Sequence, residues 1–339
     1  MRFEFYHSGL ADIPKLSLDG TVENSVHFSH WQGNTTPAEV KADTSTEIAL
    51  NLVGSPHREE LTRGIELVTN NHFDTDGVLS VWTVLNGERA LDLRDKLVPA
   101  AEAGDFSEFR TEDAVRASIV IQGTDQPVPD DQPGSPLASQ LAGENVEDEA
   151  RAYDLVLPQV ENILTRTNDY EHLWREPWTR IANAIESFER GASKVRQFSS
   201  GLSLITLAPE VFSSSGFDPA QHTAPFTAIS RYANGQLFLI GSPVENGWAY
   251  RIDYPYYSWA ETVVRPKIVR HNFTDYLLQL NELENGEGEW TADKGELSSA
   301  IKFLGADGKL AASTLNPDQV SELLNTFLSS RVAAVANVV

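Results

Sequence analysis

The sequence predicts an α/β protein with a mainly parallel sheet in its N-terminal lobe and a second α+β lobe behind it. Three observations carry this. Short apolar runs alternate with helical patterns over roughly the first 120 residues, the signature of strand–helix–strand units. A proline-rich break follows, and beyond it the order becomes mixed, with helices first and strands later. The length, 339 residues, exceeds one ordinary domain and suits two lobes.

Taken in order, Arg2–His7 and Ser25–Trp31 read as strands. Thr36–Val53 reads as a helix, with Thr36-Pro37 as cap and first-turn proline and Gly54 as its stop. Ile65–Asn70 is a short apolar strand, and Gly77–Leu85 a helix running directly out of the turn that follows it. Leu91–Gly104 is a further helix closed by Gly104, and Ser118–Gln122 a further buried strand. Residues 1–122 are thus expected to form an α/β metal-site domain. Residues 123–145 hold Pro127, Pro129, Pro133 and Pro136 and read as a loop or linker. Residues 146–339 begin with helices over Val146–Arg166 and Tyr170–Gly191, with Pro158 and Pro177 as points of kinking or division. Strands at Leu202–Leu207, Gln236–Ile240 and Trp248–Tyr254 and helices at Phe273–Glu282 and Pro317–Ala336 complete an α+β substrate lobe.

Charge and composition narrow the function. Against 49 acidic residues stand 26 basic ones, a formal net charge of −23. Such a field repels polyphosphate backbones and disfavours a nucleic-acid partner. The chain has no cysteine, which excludes disulfides, thiolate metal sites and a cysteine nucleophile. The N-terminus alternates like a strand instead of carrying a signal peptide's apolar core. No run approaches the roughly 18 apolar residues of a membrane helix. The expectation is a cytoplasmic protein without a membrane partner, its oligomeric state left open. No phosphate-binding P-loop, dinucleotide fingerprint or Gly-x-Ser-x-Gly elbow occurs.

The strongest local signal is Asn71-His72-Phe73-Asp74-Thr75-Asp76-Gly77, where an apolar strand ends, two carboxylates follow two residues apart, and a helix starts. Sites in open parallel sheets form beyond the carboxyl ends of strands. Two neighbouring carboxylates repel unless a cation sits between them. Oxygen ligands beside a histidine suit Mn²⁺ or Mg²⁺. Gly77 would give the turn its backbone freedom, and the helix N-terminus would offer donors to a bound phosphate. The alternative is an exposed turn in which Asp76 only caps the helix.

This turn resembles the first motif of the DHH phosphoesterase superfamily, His-x-Asp-x-Asp-Gly before a helix bearing a small residue. His72, Asp74, Asp76, Gly77 and Ser80 match it position by position. The resemblance implies two-metal hydrolysis, usually with Mn²⁺, of phosphoester or phosphoanhydride bonds. Asp74 and Asp76 would then be ligands and His72 a ligand or close neighbour. The superfamily's Asp-His-His triplet and its glycine- and histidine-rich C-terminal motif are absent. The turn also resembles the first motif of haloacid-dehalogenase-type phosphatases, which would make Asp74 a nucleophile, Asp76 an acid/base and Mg²⁺ the cofactor. His72 and Ser80 favour the first resemblance. With the flanking His30-Trp31-Gln32-Gly33-Asn34 and Ala42–Glu47 segments, the turn further resembles a divergent, uncharacterised bacterial family, which implies no chemistry.

Without the triplet, other residues must complete the site. His27 and His30 lie near a strand end before a glycine turn, and their spacing lets one of them face the site. Asp43 and Glu47 would share one helix face. Asp105 is either a cap or a ligand, and Asp125 falls where the superfamily's second aspartate would lie. In the second lobe, Trp248, Tyr250, Ile252 and Tyr254 share one strand face and Arg251 and Asp253 the other. Arg251, Arg265 and Tyr254 are the expected holders of an anionic substrate, the alternative being a sheet packed on its aromatic face with a surface ion pair. His222 reads as structural. The leading expectation is a divalent-metal-dependent hydrolase of a small anionic molecule. The alternatives are the haloacid-dehalogenase-type phosphatase and a non-catalytic binding protein with a relic site.

Overall fold

A computed structural model of the chain describes residues 1–124, 134–212, 225–292 and 301–336. The first sheet is wholly parallel. Its strands β1 (Arg2–Phe3), β2 (Lys15–Leu18), β3 (Ser25–Phe28) and β4 (Leu67–Thr69) lie in the order β1-β4-β2-β3. Its connections and flanks are helical: α1 (Ser45–Gly54), α2 (Arg58–Leu61), α3 (Thr75–Asn86), α4 (Glu88–Asp92), α5 (Arg94–Phe106) and α6 (Glu112–Gln122). Next come α7 (Pro136–Ala142), α8 (Glu149–Val156), α9 (Val160–Thr165) and α10 (Glu171–Glu189).

The second sheet is mixed. It contains β5 (Lys194–Gln197), β6 (Leu202–Thr206), β7 (Leu237–Val244), β8 (Gly247–Asp253), β9 (Glu289–Ala292) and β10 (Ile301–Leu304), in the order β5-β6-β7-β8-β10-β9. Only β6 and β7 run parallel. Helices α11 (Phe226–Tyr232), α12 (Thr274–Leu283) and α13 (Pro317–Ala336) belong with it. Residues 1–179 and 259–267 form one compact unit, and residues 180–258 and 268–339 the other. The α/β class with a parallel first sheet and an α+β second lobe is what the sequence predicts. Among the described residues, no helix is long and apolar enough to cross a membrane.

Several elements differ from the sequence reading, each for a local reason. The first helix begins at Ser45, not Thr36. Thr44 caps it by accepting the Glu47 amide, whereas the Thr36 hydroxyl is held by the Ser29 backbone. Ser118–Gln122 is the end of α6, not a strand. Ser118, Ile119, Val120 and Ile121 are all buried, and a short apolar run buried on every side has no readable period. The predicted loop contains α7, capped by Ser135 with Pro136 in its first turn. Residues 125–133 lie outside the described residues, and Asp125 with them. Pro158 sits in a 3-10 turn between α8 and α9, while Pro177 lies inside α10 without ending it.

β2 escaped the sequence reading because Lys15 and Ser17 interrupt its apolar run. The structure satisfies both. The buried Lys15 ammonium donates to the carbonyls of Leu10, Ala11, Ile13 and Asn24, and the Ser17 hydroxyl donates to Gly20 O. The second unit is organised around its sheet's apolar face, where Tyr250, Ile252 and Tyr254 pack with Trp290, Phe303, Tyr276 and Leu324.

Candidate metal centre

The carboxyl ends of β2, β3 and β4 place acidic and imidazole side chains at one edge of the first sheet. β2 leads into Asp19, β3 into His30, and β4 into His72 and Asp74. This is where parallel sheets form sites. Two groups of potential ligands result, Asp19–His30–Asp76 and Asp19–His72–Asp74, each with donor atoms within 4.8 Å of one another. Asp19 belongs to both. One of its oxygens lies 3.4 Å from His30 Nε2 and the other 3.1 Å from His72 Nε2. The first group is fully buried and is called the inner group; the second reaches the surface through His72 and Asp74 and is the outer group.

Each side chain is held from behind. Asp76 accepts the amides of Ser45 and Thr46, both at 2.7 Å, so its carboxylate also sits at the N-terminus of α1. Asp74 caps α3 through the Gly77 amide at 2.7 Å, which leaves Oδ2 facing His72 at 3.3 Å. Asp19 accepts the Ser45 hydroxyl at 2.7 Å and has left-handed backbone, φ 58°. Both imidazoles donate from Nδ1 to carbonyl oxygens, His30 to Asp43 O at 2.6 Å and His72 to Asn71 Oδ1 at 3.3 Å. Nε2 of each ring therefore faces carboxylates, where it carries a proton or lends its lone pair to a cation. A histidine oriented by a carbonyl on its far nitrogen is the usual support of a metal ligand.

Asp105, in the last turn of α5, places Oδ2 3.1 Å from His30 Nε2, an ion-pair contact in which neither atom has a well-aligned hydrogen bond. Buried polar atoms without partners are rare in folded proteins. The charges are unbalanced too. Four carboxyl groups (Asp19, Asp74, Asp76 and Asp105) crowd around two imidazoles, so ionising all four needs more positive charge than the two rings can supply, and Asp19, Asp76 and Asp105 hold their protons more readily. Burial and the neighbouring Asp19 push Asp76 well above its ordinary range, and burial lifts Asp105 to about 6. Burial opposes charge on His30, yet the Asp105, Asp19 and Asp76 carboxylates outweigh it and raise the ring to about 10. His72 is raised in the same way by Asp74 and Asp19 against its burial. Such a set fits a divalent cation: convergent oxygen and nitrogen donors, incompletely hydrogen-bonded buried atoms, and carboxyl groups crowded closely enough to raise one another.

An aromatic wall flanks the group. Trp259 meets His30 edge-on at 4.9 Å and Trp31 at 5.7 Å, and Trp31 lies 5.2 Å from His72. Tyr153 of α8 hydrogen-bonds Asn70, and burial together with the Asp74 charge keeps its hydroxyl neutral. Of the backbone donors expected for a phosphate at the start of α3, those of Thr75 and Gly77 are taken by side chains. Phe73 N donates to Glu149, Thr75 N to Gln122 and Gly77 N to Asp74.

The structure brings together His30, His72, Asp74, Asp76 and Asp105 of the residues singled out from sequence. His27 does not join them; its Nδ1 accepts the Thr35 amide. Neither does Asp43, whose carboxylate is held by the amides of Val263, Val264 and Arg265 and by the Arg265 guanidinium. Glu47 pairs with Arg94 instead of sharing a cation with Asp43. Arg265 is engaged by Asp43, Glu102 and Glu108. In the second unit Arg251 pairs with Asp253 at 2.9 Å, and the buried Tyr254 accepts the His271 amide through its hydroxyl. His222 lies outside the described residues. Asp19, the shared member, was missed. Its signal was Leu16-Ser17-Leu18-Asp19-Gly20, an apolar strand running into an acidic residue and a glycine, like Asp76-Gly77.

Among solved structures the chain is similar to one titled "pGpG-specific phosphodiesterase - PggH from Vibrio cholrae", at TM-score 0.36 and 11% identity, over 93% of this chain and 83% of that one. A likeness of that degree transfers no function. No curated protein matches the chain. A family model matches residues 2–338, and the chain belongs to that family, described as a family of unknown function (DUF6687).

Proposed function

We propose that this protein is a divalent-metal-dependent hydrolase of a phosphoester or phosphoanhydride in a small anionic molecule. The observation that carries the reading is the sharing of Asp19 between two ligand groups, one buried and one open to solvent. The likeness of the His72–Gly77 turn to the DHH motif supports the same chemistry. Asp19, His30 and Asp76, with Asp105 alongside, would hold an inner ion; Asp19, His72 and Asp74 would hold an outer one. Carboxylates with imidazoles favour Mn²⁺, with Mg²⁺ as the alternative. Such ions polarise a phosphoryl group and activate water near neutral pH.

The chain's own residues do the remaining work. Asp76, pinned by two amides, fixes the inner group and has no free oxygen edge facing solvent. That argues against a haloacid-dehalogenase role, in which Asp76 would exchange protons with a leaving group. His72 and Asp74 form the exposed edge where substrate would enter. Trp31, 36% exposed, supplies a flat apolar surface next to His72. The test is elemental analysis of purified protein, then a phosphatase and phosphodiesterase panel with Asp74→Asn and Asp76→Asn. Hydrolysis by wild type, lost with the metal in both variants, is expected. A wild-type protein that binds no divalent ion and cleaves nothing in the panel sinks the reading, leaving a non-catalytic binding protein.

A further inference from the structure

We infer that Arg265 is a positioning residue for the inner ion, acting through both sides of the His30 ring. The inference rests on the metal-centre reading above. Arg265 lies in the segment 259–267, which packs within the first unit. Its guanidinium spans three carboxylates: Nη1 to Asp43 at 2.8 Å, Nη2 to Glu102 at 2.6 Å, and Nε and Nη2 to Glu108 at 2.8 and 2.6 Å. The planar guanidinium, with five N–H donors in a fixed fork, reaches all three carboxylates in one plane.

The consequences converge on one imidazole. Asp43, fixed by Arg265 and by the amides of Val263, Val264 and Arg265, offers its own carbonyl to His30 Nδ1 at 2.6 Å. That bond sets the tautomer and leaves Nε2 directed at Asp19 and Asp105. Glu102 lies on α5 three residues before Asp105, so the same guanidinium anchors the helical turn that aims Asp105 at Nε2, 3.1 Å away. Beneath the guanidinium, 4.8 Å away, lies the Phe106 ring, which also packs 5.6 Å from His30. The segment is tied to the histidine directly as well: the Glu261 amide donates to His30 O at 2.7 Å, and Trp259 packs on the ring. The clamp thus reaches both ring nitrogens of His30, Nδ1 through the Asp43 carbonyl and Nε2 through Asp105.

The experiment is Mn²⁺ titration of metal-stripped full-length protein by calorimetry, with the Mn²⁺ electron paramagnetic resonance spectrum recorded on loaded samples. Wild type, Arg265→Met and Arg265→Lys are compared, with Glu284→Gln in the second unit as a variant that perturbs stability elsewhere. Arg265→Met should weaken one of the two ion sites by about 10–100-fold and leave the other unchanged. Its spectrum should pass from that of a coupled pair to that of a single ion. Arg265→Lys, which keeps a cation among the carboxylates, should fall between and covers the case in which the methionine variant does not fold. Glu284→Gln should titrate like wild type. Two wild-type-affinity sites in a folded Arg265 variant, or equal weakening of both sites, overturns the inference while the metal centre stands. A wild type that takes up no Mn²⁺ overturns the metal centre and the inference together.

Discussion

His30 Nε2 stands 3.1 Å from Asp105 Oδ2 inside the protein, a buried ion-pair contact in which neither atom has a well-aligned hydrogen bond. A buried contact of this kind, with each atom short of its full set of hydrogen bonds, is less well satisfied than an ordinary buried pair. A cation coordinated by either atom would complete its set of partners. This pair lies beside the two groups of Asp and His side chains that could hold a metal ion.

Ion binding should therefore stabilise the first unit strongly. Mn²⁺ at 100 times its dissociation constant contributes about 2.7 kcal/mol. At about 2–4 °C per kcal/mol, the melting temperature of stripped protein should rise by roughly 5–10 °C on Mn²⁺ addition and fall again with chelator. Differential scanning fluorimetry reads this directly. An unchanged melting temperature across saturating Mn²⁺ and Mg²⁺ contradicts the assignment.

Gly77→Ala should loosen the outer group. A Cβ at this position would lie 2.4 Å from Asn70 Nδ2, 2.7 Å from the Tyr153 hydroxyl and 3.0 Å from Asp74 Oδ1. All three belong to the support of the turn. Overpacking of this kind costs about 1–3 kcal/mol and would displace Asp74 from its cap. Lower thermal stability and weakened Mn²⁺ binding are expected together. Wild-type values for both would show that the turn yields freely.

The second unit carries an acid-sensitive element of its own. Burial opposes charge on Glu284, but the Ser313 and Thr314 hydroxyls and the Thr314 and Gly286 amides hold its pKa at about 2, below the ordinary 4.5. A lowered carboxylate contributes stability that is complete above its unfolded value. That contribution is lost as pH falls from about 4.5 towards 2. Glu284→Gln should destabilise the protein at neutral pH by about 1–3 kcal/mol and flatten the acid limb between those values. Denaturant midpoints measured at pH 7 and pH 3 decide it. An equal loss at both pH values would contradict the role given to the charge.

The parallel first sheet and the helix leaving the His72–Gly77 turn were legible because apolar runs and turn residues repeat there at short range. His30, Asp105 and the turn could be named as candidates for the same reason. The division of labour between Asp74 and Asp76 could not. Carboxylates two residues apart at a helix start point to different partners, one to its own helix cap and one to the N-terminus of α1. That outcome depends on α1 beginning at Ser45, which the Thr36-Pro37 signal obscured. Gly77 was read as a device for backbone freedom, but the structure uses its missing side chain as space inside a helix. Asp19 was hidden because its strand carries a buried lysine, whose carbonyl partners, three in the turn just before it and one at Asn24, leave no periodic signal. The Arg265 contacts span more than 150 residues of chain and leave no periodic trace.

The most direct test is the metal content of Asp19→Asn beside wild type, by elemental analysis after loading with Mn²⁺ and desalting. Because this one side chain serves both groups, its loss should empty both sites, weakening each by roughly 100-fold or more, beyond what loss of a supporting residue costs. Two ions per chain in wild type and none in a folded Asp19→Asn variant is the predicted result. Equal metal content in the two proteins, or no metal in either, would contradict a centre built on a shared aspartate.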